Sequence, residues 1–548
     1  MQSNEKINND LQNHYRTLFS NCIKTKNLKL GRALHSQLIK TSFILNTFFT
    51  NRLIQIYAKC NSLDCAQKTF DDLTFKNTHS WNTMIAAYSE TSRFENARRL
   101  LDEMPEPNLV SYNSIISSFG RNGFYQEAIN LFRGIQERNQ NAILMDEFTV
   151  VGLTNACASL AALELLRQVH GVSIVMGLNF NVVVCNALVD SYGKCGVPES
   201  SYRIFSQMEE KNVVSWTALI TGLAQNGEGE RALSYFRKMQ DEGLIANDMT
   251  YVSALSACAD LAVIGRGKQI HCRVIRVRSG SVFDNVFVVN ALIDMYSKCG
   301  EMTSSMRLFE RLEKKDIVTW NSLITGFAQN GHGAASLAIF SKMVRENVRP
   351  SEVTLVGVLS ACSHSGLESE GLRYFEMMVK KFGLTPRSDH CAILVDLLGR
   401  KNRLTEALEV IEKARNGSEH IGMWGALLAT SRVHGNLELA TRAAEALFEL
   451  EPENTGRYVM LSNIYAMAGR WDEARRIRRV MDEMGLKKEA GYSWIELKDA
   501  RYMFVAEDMF QPKLDDIREL LRNLVKQMKG DDGYMHLENL TLSSLFQS

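Results

Sequence analysis

The sequence predicts an all-α fold, a right-handed superhelical α-solenoid of about 12 stacked helical hairpins, and three observations carry that expectation. The first is recurrence. NALIDMYSKCG (Asn290 to Gly300) returns 104 residues earlier as NALVDSYGKCG and 135 residues before that as NRLIQIYAKCN. TWNSLITGFAQNGHGAASLAIF from Thr319 likewise returns 104 residues earlier from Ser215, with a looser copy from Ser111. The second is continuity. Only 7 Pro in 548 residues, with no Gly/Ser linker, leave nothing to divide the chain into beads. The third is periodicity. Ala291, Leu292, Met295, Tyr296 and Cys299 fall at helical spacing, and Gly300 is placed to end the helix in a left-handed turn. Met306, Phe309 and Leu312 then mark a second amphipathic helix. Such a hairpin cannot bury its apolar faces alone, so neighbours must stack.

Cutting at equivalent positions gives units 12–46, 47–77, 78–108, 109–146, 147–181, 182–212, 213–247, 248–285, 286–316, 317–351, 352–387 and 388–420. Their lengths run from 31 to 38 residues, and successive triplets add to the same 104-residue super-period. Three unit types therefore alternate. Residues 1–11 are expected to precede the array, 421–490 to continue it in degenerate form, and 491–530 and a tail at 531–548 to follow.

Composition excludes several classes. A net charge of +1 gives no global basic field, which argues against coating a polyanion more than against reading base edges with neutral side chains. No apolar run reaches the roughly 18 residues of a membrane span, so no membrane partner is expected. Eleven Cys, none in a C-x-x-C pair, indicate neither a disulfide framework nor a zinc ribbon. Cys60, Cys195 and Cys299 share one place in the unit, and Cys22, Cys157, Cys258 and Cys362 another, as packing positions would. The recurring His35, His170 and His271 are read as packing or hydrogen-bonding residues. No metal site and no cofactor is expected. The stretch MQSNEKINNDLQNH, with one Lys, two acids and no Arg, is unlike an organellar transit peptide.

VVSWTALITGLAQNG and IVTWNSLITGFAQNG resemble the P repeats of plant pentatricopeptide repeat (PPR) proteins of the class in which P, L and S repeats alternate. FTVVGLTNACASLAALELLRQVHG and MTYVSALSACADLAVIGRGKQIHC resemble its L repeats, and VVVCNALVDSYGKCG and VFVVNALIDMYSKCG its S repeats. MWGALLATSRVHGNLELATRAAEALFELEPEN and GRYVMLSNIYAMAGRWDEARRIRRVMDEMGLKKEAGYSWIEL resemble the E motifs of that class. A tetratricopeptide array is the other helical-hairpin solenoid to weigh. It requires Leu-Gly after the first-helix Trp, and none follows Trp81, Trp216, Trp320 or Trp424.

The resemblance implies binding of single-stranded RNA, one base per unit, by the fifth residue of a repeat and its last. The pairs are Asn51 with Asn77, Asn82 with Asn108, Asn113 with Asp146, Asn186 with Asn212, Thr217 with Asn247, Asn290 with Asp316, and Asn321 with Ser351. An amide both donates and accepts on a base edge, whereas an ionised Asp only accepts. By the family's code, Asn113/Asp146 and Asn290/Asp316 imply U, Thr217/Asn247 implies A, and the remaining pairs imply a pyrimidine with C favoured. Val151, Val252 and Val356 of the L units, and Ala392 with His420, leave their bases unassigned. From the unit at Thr47 onward the implied ligand is 5′-YYU-n-YA-n-UY-n-n.

Gly491-Tyr-Ser-Trp494-Ile-Glu496 resembles the opening of the DYW deaminase domain that follows E motifs in related proteins. A complete domain is not expected, because His536-Leu-Glu538 has no C-x-x-C after it to finish a zinc site. The resemblance thus implies a non-catalytic, monomeric adaptor that directs C-to-U editing of a mitochondrial or chloroplast transcript through a deaminase in trans. The edited C is placed about four nucleotides beyond the base facing the unit at Ser388. An RNA stabilisation, splicing or processing factor and a protein-binding scaffold are the other readings.

Overall fold

The computed structural model describes residues 15–41, 46–91, 93–138, 145–277, 285–414, 417–486, 491–497, 500–505, 519, 522 and 523. The expected extension at 1–11, the tail at 531–548, the His536-Leu-Glu538 triplet and most of 498–530 lie outside them. The chain divides into two compact units at Ser322 and Leu323, within the helix Ile317–Gln329.

Both units are built from helical hairpins. In the first, Thr47–Lys59, Thr78–Glu90, Leu109–Arg121, Glu147–Ser159, Val182–Lys194, Val213–Gln225, Asp248–Asp260 and Val286–Lys298 are first helices. Their partners run from Leu63–Asp71 to Met302–Arg311. In the second, the hairpins begin at Glu352, Ser388, Ile421 and Thr455. Neighbouring first helices pack side by side, with Val182–Lys194 lying against both Glu147–Ser159 and Val213–Gln225.

Local sequence explains the helix ends. From Thr47 to Glu352 the residue before the first helix is an Asn, Asp or Ser whose side chain accepts from backbone N–H groups of the first turn, as Asn77 does from Ser80 and Asp146 from Thr149, whereas Arg387, His420 and Asn454 stand at that place before Ser388, Ile421 and Thr455. Ends among the described residues close into reciprocal boxes in which the third helical residue, Ser111, Thr149, Ser215 or Thr354, returns its hydroxyl to the cap's N–H. Each cap contributes about 1 kcal/mol. At the other end Gly300 takes φ +80°, the left-handed turn its position predicts.

The unit junctions repeat their packing. Where a 31-residue unit meets the next at Thr78, Val213 and Ile317, a Lys lies over a Phe and the Phe meets a Trp edge-on. The three sets are Lys76–Phe70–Trp81, Lys211–Phe205–Trp216 and Lys315–Phe309–Trp320. At Thr47, Val182 and Val286, His35, His170 and His271 bond the hydroxyls of Tyr57, Tyr192 and Tyr296 at 2.9, 3.0 and 2.9 Å. Burial lowers the pKa of each of these imidazoles. Cys22, Cys157, Cys258 and Cys362 are buried, and burial pushes the Cys157 and Cys362 thiols up to about 11. All are free thiols in packing positions.

Gly193 and Gly222 bring two first helices into close approach. A Cβ on Gly193 would lie 2.8 Å from the Gly222 Cα, whereas the repeat-equivalent Gly120 has nothing within 4 Å of such a Cβ. Gly193→Ala is therefore expected to destabilise by about 1–3 kcal/mol. Gly120→Ala should stabilise by up to about 1 kcal/mol through helix propensity. Urea unfolding of the two variants checks the contrast; similar shifts would mean the helices can spread.

Among the described residues, one feature departs from an all-helical chain. Tyr492–Leu497 (β1) pairs antiparallel with Ala500–Val505 (β2), Tyr492 opposite Val505 and Leu497 opposite Ala500. YSWIEL and ARYMFV are rich in aromatic and branched residues that favour a pleated ribbon, a composition the helical repeat upstream obscures.

Candidate nucleic-acid interface

The last residue of every reading pair is the N-cap of the following helix. Asn77, Asn108, Asp146, Asn212, Asn247 and Ser351 accept from first-turn N–H groups, and Asp316 accepts from Thr319 N–H at 2.8 Å. Capping leaves the carboxylate or amide at the mouth of the unit junction, where the fifth residue of the preceding first helix reaches it. Asn113 Nδ2 donates to both Asp146 carboxylate oxygens at 2.9 and 3.0 Å. Asn290 Nδ2 donates to Asp316 Oδ1 at 3.1 Å, Asn82 Nδ2 to Asn108 Oδ1 at 3.3 Å, and Asn186 Nδ2 to Asn212 Oδ1 at 3.4 Å.

Thr217 reaches Asn247 through a third residue: its hydroxyl is 2.7 Å from Thr250 Oγ1, which donates to Asn247 Oδ1 at 2.9 Å. Asn51 and Asn77 do not meet directly; Asn51 Oδ1 is buried without a partner among the described residues, and Asn77 accepts from Ser80. Asn321 follows Trp320, and Ser351 Oγ accepts from Thr354 N–H at 3.3 Å. Val151, Val252 and Val356 are half-buried at the corresponding place. In the unit 388–420, His420 Nδ1 accepts from Met423 N–H at 3.3 Å, so Nε2 carries the ring proton.

Two sets of residues escaped the sequence reading. The first is a buried hydroxyl at the third position of the next helix. Ser111 Oγ lies 2.6 Å from Asn82 Oδ1, and Thr149 Oγ1 lies 2.7 Å from Asn113 Oδ1, each also bonded to the cap. These hydroxyls meet the amide oxygen and so turn Nδ2 toward the cap. The signal was present, since Ser or Thr follows every one of the seven caps by three residues. The second set is an exposed apolar residue at the second helical position: Phe48, Val110, Phe148, Val183, Val214, Met249, Phe287 and Val318 form a row in the first unit, and Val353 holds the same position in the second. Phe148 is 68% and Phe287 72% exposed. Val110 shares with Asn82, His79, Lys59 and Glu90 a cleft of about 250 Å³. Such a row beside hydrogen-bonding pairs offers flat bases a stacking surface and an edge contact together.

Electrostatics keep the carboxylates ionised. Burial raises the Asp146 carboxyl, but hydrogen bonds from the Thr149 N–H and hydroxyl and from Asn113 outweigh it and hold the pKa below its ordinary value. Asp316 is lowered in the same way by Thr319 and Asn290. A depressed carboxyl contributes stability above its unfolded pKa and loses it as pH falls through the folded one. Acid unfolding below roughly pH 4 is therefore expected to be blunted in Asp146→Asn/Asp316→Asn relative to the wild type, read by circular dichroism. Identical acid profiles would count against these two pairs. Cations along the same helices are already engaged: Lys59 with Glu90, Lys194 with Asp190, and Lys298 with Asp260 and Asp294.

Family models for the PPR repeat match residues 79–109, 110–139, 183–213, 287–317 and 353–381. A second model, for the PPR repeat family, matches 211–260 and 315–364, and the E motif matches 434–496. The chain is 39% identical over 403 residues to the pentatricopeptide repeat-containing protein CRR2, chloroplastic, of Arabidopsis thaliana, covering 72% of this chain and 61% of that protein. It thus spans less than two thirds of that relative's length. It is 36% identical over 511 residues to the pentatricopeptide repeat-containing protein At4g15720 of the same plant, covering 92% of this chain and 77% of the relative. Among solved structures, PPR10 in complex with an 18-nt psaJ RNA element matches at TM-score 0.56 and 17% identity, covering 80% of this chain and 64% of that one. That likeness establishes the helical-repeat fold. With repeat models matched along the array, the E motif after it, and a resemblance to At4g15720 over 92% of this chain, the chain belongs to the pentatricopeptide repeat family, in its alternating, E-motif-bearing subgroup.

Proposed function

We propose that the chain binds single-stranded RNA sequence-specifically and directs C-to-U editing of an organellar transcript, its E region recruiting a deaminase in trans. One observation carries the RNA reading: at four junctions the fifth-position amide donates directly to the cap side chain, and exposed apolar residues recur at the second helical position. The pairs from Asn51/Asn77 to Asn321/Ser351 read 5′-YYU-n-YA-n-UY-n-n, and the apolar row stacks the bases. Relatives named as chloroplastic and as mitochondrial support an organellar site of action, and we favour the mitochondrion. The chain acts as a monomer and leaves the chemistry to its partner.

Fluorescence anisotropy with 5′-CCUACAAUCAA against the same RNA with both U changed to A tests the reading. A good base contact discriminates by about 1–3 kcal/mol, so two mismatches should weaken binding by roughly 30-fold or more. Equal affinity would refute base reading. Sequencing organellar RNA from a plant lacking the protein tests the rest: loss of editing at a C behind this string supports the adaptor, and intact editing with altered ends or unspliced introns rejects it.

A further inference from the structure

In the array the residue after the first-helix Trp is the reader: Asn82 after Trp81, Thr217 after Trp216, Asn321 after Trp320. The same register continues past the last repeat, where Trp424 is followed by Gly425, which has no side chain to offer. Arg457 fills the gap. It occupies the third position of the helix Thr455–Met467, where a Ser or Thr follows each of the seven reading caps, and its Nη1 lies 3.4 Å from where a Gly425 Cβ would be. Its Nη2 is 3.5 Å from Glu451 Oε2, its Nε is buried without a partner among the described residues, and the side chain is 23% exposed. Asn454, in the cap position, makes no capping bond and donates instead to Glu451 Oε2 at 3.1 Å.

We propose that Arg457 reads one more base, the nucleotide immediately 3′ of the base facing the unit 388–420. This rests on the RNA-reading proposal above and extends it beyond the repeats. The guanidinium has only donors, so the base it selects must present acceptors on one edge. Guanine (O6 and N7) fits, whereas adenine sets an amino donor beside its ring nitrogen. Glu451 holds one edge of the guanidinium, and Nη1 lies over Gly425, where no side chain stands in its way.

The experiment uses the full chain and 5′-CCUACAAUCAA extended by G, by A or by an abasic residue. The G-ended RNA should bind about fivefold or more tightly than the other two. Arg457→Lys, which keeps the charge and loses the planar fork, should abolish that difference while leaving affinity for the abasic RNA unchanged. Should Arg457→Lys fold poorly by thermal melting, Gly425→Asn, which puts an amide into the slot, must abolish the G preference instead. Equal binding of all three RNAs by the wild type overturns the inference. So does an equal loss on all three in the variant, which is the signature of a phosphate contact. Loss of preference over the first eleven bases as well would bring down the RNA-reading proposal and this one with it.

Discussion

Trp216→Ala is expected to destabilise the first unit by about 3–5 kcal/mol, a large fraction of a domain's stability. The indole is 3% exposed and meets Phe205 edge-on at 4.9 Å and Tyr235 at 6.4 Å. Its Nε1 is buried without a partner among the described residues, so Trp216→Phe discards an unpaired donor along with some volume. That variant should cost under about 1.5 kcal/mol. Because hairpin arrays are stabilised by nearest-neighbour interfaces, the loss in Trp216→Ala should be felt first at the junction of the units 182–212 and 213–247. Hydrogen exchange should show early opening there, and the preference for A opposite Thr217/Asn247 should fall before binding elsewhere is lost. Equal destabilisation by Ala and Phe would show that the indole N–H is satisfied in solution.

The repeat made most of the helical array legible. Helices recur because apolar spacing, a cap and a left-handed glycine recur, and each can be read from letters alone. Asn113 and Asp146 could be singled out by register, but the reason they meet could not. Asp146 is the cap of the next helix, and the same hydrogen bonds that end one hairpin and begin another aim it at Asn113. Thr149 was passed over because a buried hydroxyl three residues past a cap reads as ordinary capping; its second bond, to Asn113, exists only once two units are stacked. Val110 and Phe148 were passed over because a first helix buries its other apolar residues, and exposure at one position is a property of the packed array. The β1–β2 ribbon lies beyond the last period, where no repeat helps.

Asp146→Asn is expected to switch the unit 109–146 from U toward C. Both carboxylate oxygens accept from Asn113 Nδ2, and Oδ1 also takes the Thr149 N–H at 2.8 Å and the Thr149 hydroxyl at 2.7 Å. The oxygen with spare acceptor capacity suits uracil, whose N3 carries a proton, and refuses cytosine, whose N3 is an acceptor. In the Asn variant Oδ1 can keep the cap, and Asn caps as well as Asp, so folding is preserved. The other oxygen becomes an amino group that donates, which reverses the preference. One such contact is worth about 1–3 kcal/mol, so the U:C ratio should change by roughly 5- to 150-fold, read by anisotropy with all four bases at that position. Asn108→Asp, which builds beside Asn82 the pair that Asp146 makes with Asn113, should move its own unit from C toward U by a similar factor. By the family's code, Asn113→Thr should move its unit from U toward G. A ratio unmoved by both cap exchanges would mean that these residues only begin helices, and the fifth-position amides would then have to carry any discrimination alone.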